Sequence, residues 1–301
     1  MEIISVCITT FKRQSLLKKC IISLLTQNTP PGYLLEIIIV DNDRNASARQ
    51  VVQKIMQKYK KANIKYFVEP EKNISLARNK CVENASGKFL LFIDDDEYAD
   101  IFLIQNFIKC FKNFNADGIF GAVISYYDEN VPPWVIKGEF FDRIIQETGD
   151  KPKFLRTGNC FIKKQLLQQF EGPFDPQYGL TGGEDINLFS KLQQKGANFI
   201  FCAEAIVYDF VPKDRACLNW LIKRTYRTGL TFTSNRIKNS RYKMFSFIWQ
   251  ILKSTTYLFI SSLLTVLNLF PKEKRIFWFL KIISNVGHIA GALGFKYYEY
   301  R

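Results

Sequence analysis

The run Phe89-Leu90-Leu91-Phe92-Ile93 leads without a break into Asp94-Asp95-Asp96-Glu97. Clustered carboxylates can hold a hard divalent cation, offset charge on a departing phosphate, or accept a proton. In an extended backbone Asp94 and Asp96 would point to one side and lean on the same ion, whereas a solvated acidic turn is the competing explanation. What precedes the acids favours chemistry. Five apolar residues without alternation read as a strand buried on both faces of a mainly parallel sheet. In such sheets the ligand crevice lies beyond the carboxyl ends of the strands.

Two further acidic positions stand at element ends. Asp41 follows the apolar run 34–40, and Glu184-Asp185 follows Gly182-Gly183 where a helix begins. Asp41 could instead close a strand-end turn with Asn42 and Asp43. Glu184 and Asp185 could be first-turn acids favoured by the helix dipole, which would also keep Asp185 ionised as a general base requires.

The elements needed to position these groups are legible as alternating strands and helices. Residues 3–10 form a β-branched run, and 15–27 carry apolar residues at helical spacing. Strands are expected at 34–40, 64–68, 89–93 and 118–125, with helices at 48–60, 73–84 and 101–114 between them. This order predicts an α/β domain with a Rossmann-like half. From 126 to 155 the periodicity fails, and a long excursion over the surface is expected. Residues 156–162 read as a return to the sheet, a helix opens at Glu184, and two short strands are expected near 198–202 and 205–210.

With 301 residues the chain can hold one large domain plus an appendage. Its formal charge of +14 is concentrated after residue 212, where 16 Lys and Arg face 3 Asp and Glu. The seven cysteines show no metal or disulfide spacing, which is usage typical of a reducing compartment. With a single histidine, His288, near the C-terminus, the composition argues against Ser-His-Asp and Cys-His mechanisms. Met1-Glu2 runs straight into a strand pattern, so a secretory signal is not expected.

Taken together, ITTFKR (8–13), VDN (40–42), NISLARN (73–79), FIDDDE (92–97) and TGGED (181–185) resemble the motifs of glycosyltransferase family 2, in family order. The run at 207–229 and the ending GHIAGALGFKYYEY are similar to a subgroup that includes succinoglycan glucosyltransferases. The resemblance implies a GT-A fold over residues 1–212 and a nucleoside-diphosphate sugar donor, with UDP favoured. It implies that Thr10 and Phe11 line the base pocket and that Asp41 accepts from the pyrimidine edge. Arg78 would approach the nucleotide, Asp94 and Asp95 the ribose, and Asp96 would bind Mg²⁺ or Mn²⁺. Asp185, beside Glu184, would be the base of an inverting transfer. Where many relatives have a metal-ligating histidine, this chain has Asp209, a further metal candidate. Arg78 could also be a solvated helix charge, and Asn159 and Trp134 could contact sugar or simply fill a turn and a loop.

Residues 213–301 form a basic, apolar helical region. Arg224 and Arg227, three apart, could hold a diphosphate of the donor or of a lipid acceptor, or could belong to a solvated face. Residues 254–270 carry no charge over a length marginal for a span, and basic residues flank them. Helices lying in the plane of an anionic leaflet satisfy both facts, with a buried hairpin as the alternative. The expected setting is the cytoplasmic face of the cell membrane, peripheral or monotopic, with a glycan or polyprenyl-linked acceptor and no nucleic acid. A metal-dependent nucleotidyltransferase would want a glycine-rich phosphate loop, which 9–13 lacks. A non-enzymatic membrane-binding protein carried by the basic tail is the remaining rival.

Overall fold

The computed structural model describes residues 1–238, 240–268 and 270–297. Along the chain come β1 (Glu2–Thr10), α1 (Gln14–Leu25), β2 (Tyr33–Asp41), α2 (Arg49–Lys58), β3 (Asn63–Val68), α3 (Ile74–Asn84) and β4 (Phe89–Phe92). Then follow β5 (Glu97–Ala99), α4 (Leu103–Asn113), β6 (Gly118–Tyr127), α5 (Pro133–Lys137), β7 (Cys160–Lys163) and α6 (Lys164–Leu167). Helix α7 (Glu184–Gln194), β8 (Phe199–Val211), α8 (Leu218–Lys238), α9 (Lys243–Leu267) and α10 (Lys272–Ala292) complete the described chain. The strands form one sheet in the order β3-β2-β1-β4-β7-β6-β8-β5. Pairs β3/β2, β2/β1, β1/β4 and β6/β8 are parallel, and those around β7 and β5 are antiparallel.

Continuous apolar runs are explained by cover on both faces of the sheet. Ile4, Val6, Ile8, Ile37, Ile39, Phe89 and Leu91 pack with α1, α2 and α4. Their alternate neighbours Cys7, Ile38, Val40, Leu90 and Phe92 pack with α3, α6 and α7. Apart from Ser5 and Glu36, buried mid-strand and bonded to each other (2.6 Å), strands so enclosed carry their polar residues at their ends, which is why acids collect along one edge.

Three local expectations are corrected. The acids after β4 are not extended: Glu97 N donates to Asp94 O (3.1 Å), and Asp94 N to Glu97 Oε2 (2.9 Å). A tight turn thus delivers Glu97 into β5, an edge strand hidden from the periodicity by its three-residue length. Residues 126–155 do not merely cross the surface. Val131, Val135 and Phe141 form a small core with Val211, Leu221, Ile276 and Leu280, tying the excursion to α8 and α10. The two short strands expected near 198–210 are one strand with an irregularity opposite Gly121 and Ala122. Asn159, fully buried, fills that gap by donating to Ala122 O and Ala205 O, both at 2.8 Å. It is a structural residue there rather than a sugar contact.

Helix α10 lies close against α8. A Cβ on Gly229, Gly287 or Gly291 would run into backbone of the facing helix, so these glycines set the close approach of the pair. Helix α9 is different: Phe245, Trp249, Leu252 and Phe259 stand 53–75% exposed. Among the described residues it is the one helix long and apolar enough to cross a membrane.

Candidate active site

The NISLARN run builds one wall. Asn73 caps α3 by accepting from Ser75 N (3.1 Å) and Leu76 N (3.3 Å), while its own N–H bonds Asn42 Oδ1 (3.0 Å). Asn79 exchanges two hydrogen bonds with the backbone of Phe174, stapling the chain that leads to the TGGED turn. Between those anchors Arg78 points inward, 8% exposed. It forms an ion pair with Glu184 and lies 3.6 Å from Asp94 Oδ1. One guanidinium therefore joins the acids after β4 to the acids opening α7.

That opening turn depends on two glycines. Gly182 and Gly183 have φ of 78° and 94°, a region L side chains rarely adopt. A Cβ on Gly183 would also meet Thr231 and Asn235 of α8. The turn leaves Glu184 buried, with Oε2 unpartnered among the described residues, and Asp185 half-buried with Oδ1 accepting from Ile186 N (2.7 Å). Burial pushes the Glu184 carboxyl up to about 7, with Arg78 pulling the other way.

Two cavities meet at Arg78. One, of about 400 Å³, is lined by Thr10, Phe11, Asp94, Asp95, Asp96 and Asp209, among others. The other, of about 760 Å³, holds Glu184 and Asp185, together with α8 and α10 side chains including His288. Arg78, Asp94, Arg143, Arg224 and Arg227 line both. Asp96 and Asp185 thus face adjoining chambers rather than opposite sides of the molecule.

Within the smaller cavity the carboxylates are dressed with arginines. Arg13 Nη1 bonds both Asp95 Oδ1 (3.0 Å) and Asp96 Oδ2 (3.1 Å), and Arg215 reaches Asp96 at 2.8 Å. The adjacent pair Asp95 and Asp96 therefore shares the Arg13 guanidinium. Thr10 Oγ1 donates to Asp95 Oδ2 (2.7 Å), and burial lifts the Asp95 carboxyl to about 6 against the pull of Arg13. Asp209 is paired with Arg143 at 3.0 Å. The Phe11 ring lies under the ammonium groups of Lys12 (5.2 Å) and Lys72 (4.9 Å).

Asp41 sits behind this cavity. It is fully buried and accepts from Asp43 N (3.1 Å), Ala48 N (2.7 Å) and Tyr66 Oη (2.8 Å). Those donors leave it holding the turn from β2 to α2, and its neighbour Asn42 lines the cavity instead. Trp134 packs edge-on to Phe140 with Lys272 over its face, as a loop plug does.

Among the described residues no three acids or other ligating side chains form a ready-made metal cage. Mg²⁺ is commonly held by one or two carboxylates plus substrate phosphates, so a full protein cage is not required. Asp94, Asp96 and Asp209 present hard oxygen atoms to a single cavity, where Asp96 is paired with Arg13 and Arg215 and Asp209 with Arg143, so an ion would have to share these carboxylates with the arginines.

The sequence model described as glycosyl transferase family 2 matches residues 5–170. The chain belongs to that family. Membership decides for a glycosyltransferase over a nucleotidyltransferase or a purely membrane-binding protein. Over 300 residues the chain is 29% identical to the succinoglycan biosynthesis protein ExoM of Rhizobium meliloti, covering 98% of this chain and 94% of that one. It is 34% identical over 99 residues to the GalNAc(5)-diNAcBac-PP-undecaprenol beta-1,3-glucosyltransferase of Campylobacter jejuni, covering 32% of this chain and 30% of that protein. The mannosyltransferase PcManGT from Pyrobaculum calidifontis, solved with GDP-Man and Mn²⁺, superposes with a TM-score of 0.66 at 15% identity, covering 96% and 86% of the two chains. Staphylococcus aureus TarS 1-349, solved with UDP, gives 0.56 at 15% identity, covering 98% and 92%. The fold is GT-A, a mixed sheet flanked by helices. The last residues of the GHIAGALGFKYYEY similarity, Tyr298 to Tyr300, lie outside the described residues.

Three arginines central to this site were not singled out from the sequence. Arg13 closes ITTFKR and Arg215 lies in the run 207–229, so position within these motifs was the available signal. Arg143 had none: it comes from the aperiodic excursion and reaches Asp209 and Glu97 only after folding.

Proposed function

We propose that this protein is an inverting glycosyltransferase of polysaccharide synthesis that takes a nucleoside-diphosphate sugar, UDP-linked, and extends a glycan or lipid-linked acceptor at the cytoplasmic face of the cell membrane. The observation that carries this reading is the Arg78 bridge between Asp94 and Glu184 at the junction of two cavities. The smaller cavity receives the nucleotide, with Phe11 stacking on the base, Thr10 beside it, and Asp95 toward the ribose. Arg224 and Arg227 at the junction hold the diphosphate. Asp41 acts one step removed, fixing the turn behind the base.

The acceptor enters by the larger cavity, where Asp185 takes the proton of its hydroxyl as the new C–O bond forms. The bond from the anomeric carbon to the diphosphate breaks on the opposite side, and the electron pair leaves with phosphate. Attack and departure on opposite faces invert the anomeric carbon. When bound, Mg²⁺ or Mn²⁺ at Asp96, with Asp94 and Asp209 nearby, supplies positive charge to the departing diphosphate. Residues 1–212 form the catalytic domain. Residues 213–301 lend it arginines and offer α9 to the lipid headgroup layer, with Lys238 and Arg241 before the helix, Lys243 at its start, and Lys272, Lys274 and Arg275 after it. The likeness to a protein named for a PP-undecaprenol substrate supports a lipid-linked acceptor.

Asp185→Asn tests the assignment. It should keep nucleotide affinity in a titration with UDP yet stop sugar transfer, and transfer at near wild-type rate would remove Asp185 from the mechanism. A screen of UDP, GDP and dTDP sugars for Mn²⁺-dependent hydrolysis identifies the donor.

A further inference from the structure

A side chamber of about 290 Å³ opens off the larger cavity, walled by the folded excursion and by β6 and β8. Arg143, Arg156 and Arg224 all line it. Arg143 has Asp209 and Glu97 for company. Arg156 and Arg224 make no carboxylate ion pair among the described residues. Aromatic rings face them instead: Phe154 for Arg156 (5.5 Å), and Phe141 (5.3 Å) and Trp220 (5.1 Å) for Arg224. Half-buried guanidiniums gathered this way repel one another and lose hydration; burial first, then Arg143, depresses both, Arg224 to about 10. An oxyanion offering paired acceptor oxygens relieves that cost and matches the fork of the guanidinium.

Position tells which partner carries the anion. Arg224 also lines the nucleotide cavity, whereas Arg156 does not. Arg156 shares the larger cavity with Asp185 and feels its charge. An anion held by Arg156 therefore lies on the acceptor side, in the chamber that holds Asp185. Phe140 and Phe154 in the same wall give apolar surface for a sugar ring face.

We propose that Arg156 forms an acceptor subsite for an oxyanion, a carboxylate or phosphate borne by the sugar that presents the attacking hydroxyl. The proposal deepens the glycosyltransferase reading and rests on Asp185 marking the acceptor side. The full-length protein saturated with UDP is titrated calorimetrically with inorganic phosphate, glucuronate and glucose. Phosphate or glucuronate should bind the UDP complex at least about tenfold more tightly than glucose, the size expected of one charge-assisted pair. Arg156→Gln should lose about that factor for the oxyanion while leaving UDP affinity unchanged, and Arg156→Lys should restore part of it. Tighter glucuronate identifies an acidic sugar, and tighter phosphate a phosphorylated one. Oxyanions that bind only by displacing UDP would overturn the subsite, because the arginines would then serve the donor. Equal oxyanion affinity in wild type and Arg156→Gln would likewise overturn it, leaving Arg156 as a neighbour of Asp185 alone. If UDP fails to bind, the donor reading falls, yet the same comparison on nucleotide-free protein still decides the role of Arg156.

Discussion

Replacing Arg78 with methionine keeps most of the aliphatic stem and removes the guanidinium that links Asp94 to Glu184. Glu184 is 5% exposed, and stripping a buried ion of its partner costs about 3–5 kcal/mol if the charge stays. Glu184 has a way out. Burial already raises its carboxyl to about 7 with Arg78 present, so without Arg78 it rises further and takes a proton. A carboxyl raised in the fold favours the folded state when protonated, and that contribution is lost as pH climbs through its folded value. The variant's native state therefore binds more protons than the wild type's above pH 7. Its stability deficit should widen there by up to about 1.4 kcal/mol per pH unit and level off below pH 7, where both proteins carry a protonated Glu184. Urea unfolding of both proteins at pH 6 and pH 8 measures this directly. A deficit equal at the two pH values, or larger at pH 6, would refute the view that Arg78 exists to hold an ionised Glu184 in a dry setting.

Two other perturbations address different parts of the molecule. Asp96→Asn should abolish the dependence of transfer on added Mn²⁺, followed by metal titration of the donor reaction; an unchanged metal response would move the cation elsewhere. Changing Phe245, Trp249 and Leu252 together to serine removes exposed apolar surface from α9, each side chain worth at most about 1.5–3 kcal/mol of burial. Sedimentation with anionic vesicles should then fall by about tenfold or more while the catalytic domain stays folded, and co-sedimentation equal to wild type would reject α9 as the membrane face.

Much of the architecture was legible because buried parallel strands cannot be mistaken for much else. The runs at β1, β2 and β4 are largely apolar since helices cover both faces, and the acids that follow β4 line a cavity beyond the strand ends. The segment 126–155 was opaque for the opposite reason. Val131, Val135 and Phe141 are core residues, but their partners lie far along the chain at Val211, Leu221, Ile276 and Leu280, so no local period reveals them. Asn159 was equally unreadable, since its role depends on an irregularity between β6 and β8.

The primary structure by itself determined which carboxylates stand at element ends and that they belong to glycosyltransferase-type motifs, because strand burial and helix starts are local properties of the chain. Only the tertiary structure decided how those acids are used by one another. It turned Asp41 away from the cavity into three hydrogen bonds, gave Asp95 and Asp96 a shared Arg13, and set Arg78 between Asp94 and Glu184. Charge pairing acts across space between groups distant in sequence, and its strength depends on a burial that exists only once the sheet, the excursion and α8 have come together.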